Sequence, residues 1–156
     1  MRLFRLAKEK PGRYRADDLR GNGAALSGGR WNARGTPVLY TSANASTAVL
    51  ETRVHASGLL PLRNLILVTI EVSDKLIAVA HEPVLPSDWN QAGITPQTTI
   101  TIGQAWITEA NALAMKVPSV VCPADFNYIL NPLHPDMRTV TVIAVNAFTL
   151  DPRLFR

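Results

Sequence analysis

Arg30 closes a glycine-rich segment that has the composition of a ligand-binding loop. Five glycines fall within residues 21–35, and glycine lets the backbone approach a ligand closely or adopt a positive φ. The segment lacks the Gly-Lys-Ser/Thr of a P-loop and does not match the dinucleotide fingerprint that follows a strand. A guanidinium at the end of such a loop can hold a phosphate or carboxylate through two parallel hydrogen bonds. The alternative is a loop arginine that pairs with a surface acid.

Glu51 lies in a predicted helix over residues 45–56, directly after a predicted strand. On a helical wheel it occupies a narrow stripe between a flank of small residues and a second flank that contains Leu50 and Val54, and both flanks are predicted to be covered. Burial there disfavours the charged carboxylate unless a cation or hydroxyl compensates, which favours a chemical role. The alternative is an i,i+4 contact with His55 on the helix surface.

Ser119 falls in a predicted apolar strand over residues 119–122. Nothing local supplies the base that a nucleophilic serine requires, so a binding role is favoured, and a satisfied core hydroxyl is the alternative. The three histidines lack the spacing of metal ligands, and the single Cys122 can form neither a thiolate zinc cluster nor an intramolecular disulfide. We therefore predict no metal site and expect Cys122 to be inert core.

The elements that must position these side chains are strands and helices without regular βαβ alternation. Residues 103–115 carry apolar side chains at helical spacing, and residues 82–98 are predicted to be a long surface connection rich in proline. Strands are predicted at 38–41, 65–72, 76–79, 119–122 and 140–145. The pattern predicts an α+β fold with a mixed central sheet and flanking helices.

The length of 156 residues and a hydrophobic content of 47% favour one compact domain over residues 1–156. No apolar run reaches the roughly 20 residues of a membrane-spanning helix, and the first residues lack the apolar core of a signal peptide. Together with the single cysteine, this predicts a cytoplasmic protein with no membrane partner.

Positive charge is concentrated at the start of the chain. Residues 1–34 hold nine of the 16 basic residues and three of the 12 acidic ones, which gives this segment a net charge of +6. The segment therefore suits an anionic partner, and charge alone does not choose among nucleic acid, a phosphorylated small molecule and an acidic protein. Its aromatic residues are too sparse to form a stacking platform, so we do not expect direct nucleic-acid binding.

Several blocks together resemble the RES-domain family, the toxins of bacterial toxin–antitoxin pairs. The resemblance runs across essentially the whole chain, and the most specific block is the Gly-Gly-Arg-Trp-Asn sequence. One departure is Asp125, where the family often has glutamate. The matching blocks are Gly28-Gly-Arg-Trp-Asn, Ala48-Val-Leu-Glu, Val117-Pro-Ser and Asn127-Tyr-Ile-Leu-Asn-Pro.

The resemblance implies a fold similar to that of ADP-ribosyltransferase toxins and a reaction at the nicotinamide–ribose bond of NAD. NAD is then a substrate, and no cofactor is expected. The family takes its name from an arginine, a glutamate and a serine, which match Arg30, Glu51 and Ser119 here. The residues expected to act in catalysis are Arg30, Tyr40, Glu51 and Ser119, and those expected to bind substrate are Arg5, Gly28, Gly29, Trp31 and Ser42.

The resemblance leaves the acceptor of ADP-ribose open among water, phosphate and a protein. It also implies a helix-turn-helix antitoxin of the Xre type that blocks the active site, and a homodimer within the toxin–antitoxin complex. The alternatives are a toxin directed at RNA and an inactive protein-binding module that retains the fold.

Overall fold

One antiparallel sheet organises the residues that the computed structural model describes, which are 1–9, 15–55, 63–91 and 97–155. The strands are β1 (Arg2–Lys8), β2 (Leu39–Ser42), β3 (Leu65–Glu71), β4 (Ala114–Pro118), β5 (Phe126–Leu130) and β6 (Thr141–Phe148). They lie in the order β4-β5-β2-β1-β3-β6, and every neighbouring pair is antiparallel. The predicted α+β class is confirmed, but the sheet of the described residues is antiparallel and not mixed, because each neighbouring pair of strands runs in opposite directions.

Helices connect the strands and cover the sheet. The helix predicted over residues 45–56 is confirmed over Ala45–His55, and residue 56 lies outside the described residues. Residues 82–91 form an irregular connection as predicted, 92–96 lie outside the described residues, and 97–98 instead begin a helix. The helices are α1 (Asn22–Ser27), α2 (Ala45–His55), α3 (Asp74–Ala78) and α4 (Gln97–Glu109), and short 3₁₀ helices span Pro135–Thr139 and Pro152–Phe155.

Strand prediction succeeds where β-branched residues form long runs. The predicted strands at 38–41, 65–72 and 140–145 correspond to β2, β3 and β6. The predicted strand at 76–79 is wrong, because residues 74–78 form α3, whose Leu76 and Ile77 pack against the core. β1 and β5 were not predicted, since basic and polar residues interrupt their apolar pattern.

The region between residues 97 and 122 is shifted relative to the prediction. The helix predicted to reach residue 115 ends at Glu109, because Ala110 adopts a positive φ of 50°. The chain then enters β4, where Ala114 and Met115 are fully buried in the sheet. The predicted strand over 119–122 is also wrong, since these residues form a turn that follows β4.

The two faces of the sheet bury different clusters. Leu3, Leu39 and Ile70 lie in the cluster on one face, together with residues of α3. Alternation along the strands places the opposite face of β1, β2 and β5 under α2 and α4, where Leu6 of β1 and Ile129 of β5 are buried. α2 and α4 therefore lie on the same side of the sheet.

α4 contacts the glycine-rich loop directly through Gly103. A Cβ atom at this position would overlap the carbonyl of Trp31, so only glycine allows the helix backbone to lie against the loop. Trp31 and Trp106 are both buried in the cluster that joins the two segments. This packing fixes the loop relative to the sheet.

Among the described residues, no helix is long and apolar enough to cross a membrane.

Candidate active site

A cavity of about 480 Å³ opens between the two halves of the sheet. β1 and β2 pair at only one position, Phe4 opposite Ser42, and both strands contribute to the cavity wall. The volume lies within the roughly 300–1,000 Å³ of small-molecule sites. Residues of the predicted site that line the cavity are Arg5, Gly28, Gly29, Arg30, Trp31, Tyr40, Ser42 and Glu51.

Glu51 projects from α2 into this cavity and accepts two hydrogen bonds on one oxygen. Ser119 Oγ donates to Oε1 over 2.8 Å, and Asn127 Nδ2 donates to the same atom over 2.7 Å. Asn127 Oδ1 in turn accepts from Ser42 Oγ over 2.7 Å. These hydrogen bonds fix the position of the Glu51 carboxylate at the cavity wall.

The environment of Glu51 differs from the prediction in one respect. Its side chain is half-buried, but Leu50 and Val54 are 37% and 58% exposed, so the second flank of the helix is not covered. The sequence analysis allowed for a hydroxyl partner of Glu51, and Ser119 provides one.

Ser119 is fully buried just beyond the end of β4, between the cavity-lining residues Pro118 and Val120. Its Oγ accepts a hydrogen bond from the backbone N–H of Cys122 over 3.1 Å while donating to Glu51. The hydroxyl proton is therefore directed at a carboxylate. Cys122 is only half-buried, so the expectation that it lies in the core is wrong.

Arg30 also reaches the cavity and is held by the turn over residues 86–91. Its Nη1 donates to the carbonyl of Trp89 over 2.6 Å, and its Nη2 donates to the carbonyl of Gln91 over 3.3 Å. Both acceptors are neutral, so these bonds orient the guanidinium without cancelling its charge. The ring of Trp89 packs against Trp31 with 6.2 Å between centroids, which ties the turn to the loop.

Tyr40 supports the loop from the sheet below. Its hydroxyl accepts from the backbone N–H of Trp31 over 3.1 Å and donates to Asn32 Oδ1 over 2.8 Å. Burial raises the pKa of Tyr40 to about 12, so its hydroxyl stays protonated at neutral pH. A Cβ atom at Gly29 would lie 2.6 Å from the Tyr40 hydroxyl, so glycine is needed for this close approach.

The backbone amides of Gly28 and Gly29, two residues expected to bind substrate, donate within the protein. Gly28 N–H donates to the carbonyl of Ala24 over 2.8 Å, and Gly29 N–H donates to the carbonyl of Asn32 over 2.9 Å. The two glycines instead shape the cavity wall.

Two asparagines in the site were not assigned a role from the sequence. Asn32 is fully buried, and its Nδ2 donates to the carbonyls of Ala24 and Thr36, which holds the loop together. Asn127 links Glu51 to β2. A signal was present in each case, since Asn32 lies in the glycine-rich block and Asn127 interrupts an apolar run.

The structure describes no metal site. Within residues 1–9, 15–55, 63–91 and 97–155, no group of three or more His, Cys, Asp or Glu side chains is placed to hold an ion.

Comparison with known proteins identifies the family. The RES domain family model matches residues 2–151, which is nearly the whole chain. The chain belongs to the RES domain family. This RES domain is 40% identical over 147 residues to a "Prs ADP-ribosylating toxin" of Sphingobium sp., covering 92% of this chain and 90% of that protein. It is 34% identical to a "Toxin Res" of Yersinia enterocolitica, with 99% of each chain covered.

A solved structure shares the fold of this RES domain. It is the M. tuberculosis MbcT–MbcA toxin–antitoxin complex, in which the matching chain gives a TM-score of 0.66 at 19% identity. The match covers 99% of this chain and 86% of that one. At this identity the likeness concerns the fold alone.

Proposed function

We propose that this RES domain is the toxin of a toxin–antitoxin pair and that it cleaves NAD at the nicotinamide–ribose bond. Its curated relatives are toxins, and one of them is named for ADP-ribosylation. The observation that carries the proposal is the Glu51 carboxylate in the cavity, with Ser119 and Asn127 both donating to Oε1. NAD is the substrate in this proposal, and no separate cofactor is needed.

The proposed reaction breaks the bond between ribose C1′ and the nicotinamide nitrogen. The bonding electron pair leaves with nicotinamide, which becomes neutral, and positive charge develops on the ribose ring. A fixed carboxylate stabilises such an oxocarbenium-like transition state, as in glycoside cleavage. An acceptor oxygen then bonds to C1′, the proton of a water acceptor passes to solvent, and Glu51 is the group placed to orient that acceptor.

Binding of NAD is assigned to the other cavity residues. Arg30 is the cation proposed for the pyrophosphate, because a guanidinium forms paired hydrogen bonds to phosphate oxygens. Tyr40 offers apolar ring surface at the cavity wall, and Trp31, Ser42 and Arg5 line the same cavity, although the Trp31 side chain is almost fully buried in the adjacent cluster. Ser119 acts through its contact with Glu51 in this scheme.

The acceptor of ADP-ribose is assigned to water or inorganic phosphate, which makes NAD depletion the toxic event. Transfer to a protein is the second candidate, and the 40% identity to a Prs ADP-ribosylating toxin favours it specifically. The two candidates share the first bond-breaking step and differ only in the group that attacks C1′.

Product analysis tests the proposal and separates the acceptors. Purified protein is incubated with NAD in the presence and absence of phosphate and of a cell extract, and every ribose-containing product is identified by mass spectrometry. Free ADP-ribose indicates water as the acceptor, ADP-ribose with a phosphate on the reacting ribose carbon indicates inorganic phosphate, and labelled protein indicates transfer to a protein. RNA cleavage without NAD turnover would support the RNA-directed alternative. The absence of both activities would favour the inactive protein-binding module.

Glu51→Gln is the decisive variant, because it is nearly isosteric and removes the charge that the transition state requires. We expect cleavage to fall by at least about 100-fold, as for other groups that stabilise developing charge. Glu109→Gln is the matched control, since Glu109 is exposed at the end of α4, and it should cleave NAD like the parent. Unchanged turnover in Glu51→Gln would refute the catalytic assignment.

We further propose a helix-turn-helix antitoxin of the Xre type that covers the cavity. A protein that consumes a central metabolite needs a neutralising partner, and the matching fold was solved in a toxin–antitoxin complex. The net charge of +6 in residues 1–34 suits an acidic segment of that partner.

A homodimer within the complex completes the proposed assembly. β6 lies at one edge of the described sheet, and its eight residues include neither a charge nor a proline. Its Ile143 and Val145 are 43% and 49% exposed, so the strand lacks the usual protection against pairing. Light scattering of the purified complex counts the toxin copies.

A further inference from the structure

We infer that Asp125 is a positioning residue for Glu51. It fixes the start of α2 to the turn that supplies Ser119. The inference rests on the proposed function of Glu51. Asp125 is also the position at which this chain departs from the family pattern.

Asp125 binds the first turn of α2 from outside the helix. Its Oδ1 accepts from Asn44 Nδ2 over 2.6 Å, and its Oδ2 accepts from Thr47 Oγ1. α2 has no acidic residue in its own first turn. A carboxylate at this end also interacts favourably with the helix dipole, so Asp125 supplies what the helix sequence lacks.

Thr47 and Glu51 stand four residues apart on α2, which places them one above the other on the same face. Thr47 is 1% exposed and is bound by Asp125, and Glu51 is bound by Ser119 and Asn127. One face of the helix is thus attached at two levels to residues 119–127. A shift or rotation of α2 would break both attachments together.

The turn between these attachments is closed by its own backbone. The N–H of Ser119 donates to the carbonyl of Asp125, and the N–H of Asp125 donates to the carbonyl of Cys122, each over 2.8 Å. Next to the turn, the N–H of Ala43 donates to the carbonyl of Phe126 over 2.9 Å. The Asp125 carboxylate and the Ser119 hydroxyl therefore belong to one rigid unit, which sets the distance between Ser119 and Glu51.

The test compares Asp125→Asn and Thr47→Val with Asp125→Glu in steady-state NAD cleavage. We expect Asp125→Asn to lower kcat by about tenfold with KM changed less than about twofold, because the loss concerns a transition-state group and not substrate binding. Asp125→Glu keeps the carboxylate and should recover most of the kcat. Thr47→Val removes the other half of the same hydrogen bond, so the double variant with Asp125→Asn should be no worse than Asp125→Asn alone.

Asp151→Asn is the matched control, since it removes an exposed carboxylate that is bound by Arg153 at the far end of the chain. Its kcat should equal that of the parent. The inference is overturned if folded Asp125→Asn retains the parent kcat, or if Asp151→Asn loses as much. Should Asp125→Asn fail to fold, Thr47→Val decides by the same criterion.

A structural measurement keeps the inference separate from the proposed function. In crystals of the parent we expect the Ser119 Oγ to Glu51 Oε1 distance of 2.8 Å, and in crystals of Thr47→Val we expect this contact to be broken. If the parent does not cleave NAD, the proposed function fails, while this distance still decides whether Asp125 positions Glu51. An unchanged distance in Thr47→Val would overturn the inference.

Discussion

At the residue scale, one carboxylate oxygen and one guanidinium define the candidate site. Glu51 Oε1 accepts hydrogen bonds from two side chains, which hold the carboxylate at the cavity wall. Arg30 is held by two backbone carbonyls, which are neutral and leave its charge available to an anion. The two groups therefore suit a substrate that carries phosphate at one end and develops positive charge at the other.

Arg30→Lys tests the phosphate-binding role. Lysine keeps the charge but loses the planar guanidinium. That group contacts both carbonyls and is proposed to bind two phosphate oxygens. We expect KM for NAD to rise about tenfold, equivalent to about 1.4 kcal/mol, with kcat little changed. Equal KM values for the variant and the parent would indicate a structural arginine.

The raised pKa of Tyr40 predicts that the folded protein loses stability at alkaline pH. This pKa is raised from 10.0 to about 12 by burial, so between these values the folded protein keeps a proton that the unfolded chain releases. The free energy of unfolding should therefore fall as the pH rises from 10 to 12, by about 1.4 kcal/mol per pH unit from this group at most.

Denaturant titrations at pH 9, 10 and 11 measure this dependence, and Tyr40→Phe is the comparison. The variant loses the hydrogen bonds to Trp31 and Asn32, so it should be less stable than the parent at pH 9. Its stability should then fall less steeply with pH. Parallel curves for the two proteins would contradict the assignment.

At the element scale, the site depends on how α2 and α4 meet the sheet. α2 carries Glu51, and α4 presses on the glycine-rich loop through Gly103. Both helices cover the face of the sheet that carries Tyr40 and Ser42. Displacement of either helix should alter the site without any change to a cavity residue.

Gly103→Ala tests the helix contact. The added methyl group overlaps the backbone of Trp31, so we expect a loss of about 1–3 kcal/mol in the free energy of unfolding and weaker NAD binding. Gly23→Ala is the matched control, because a Cβ atom there meets nothing within 4 Å. It should be neutral or stabilising, since alanine is the better helix former. Equal stability of the two variants in urea would refute the contact.

At the scale of the whole molecule, control of the toxin is proposed to act through the cavity itself. Binding of antitoxin and of NAD should be mutually exclusive, which couples occupancy by one to loss of the other. The purified complex and the free toxin are each titrated with an unreactive NAD analogue by calorimetry. We expect the complex to bind the analogue much more weakly. Equal affinity would show that control acts by another route.

The amino-acid sequence by itself determined the features that depend on local pattern. The helix of residues 45–55 and the strands β2, β3 and β6 follow from periodicity and β-branched content. The glycine-rich block indicated Arg30, helical spacing indicated Glu51, and a hydroxyl in an apolar run indicated Ser119, while the family resemblance supplied their roles in the reaction. These are properties of short segments, so no contact between distant residues was needed to find them.

The tertiary structure alone decided how these segments meet. The positive φ of Ala110 ended α4 early and turned residues 114–118 into a strand, because pairing with β5 and burial outweigh local helical spacing. Ser119 therefore lies in a turn and not in the predicted strand, and its hydroxyl contacts Glu51. The contacts of Asn127 and Asp125 with α2 span 76 and 78 residues, and no local pattern encodes hydrogen bonds over such separations.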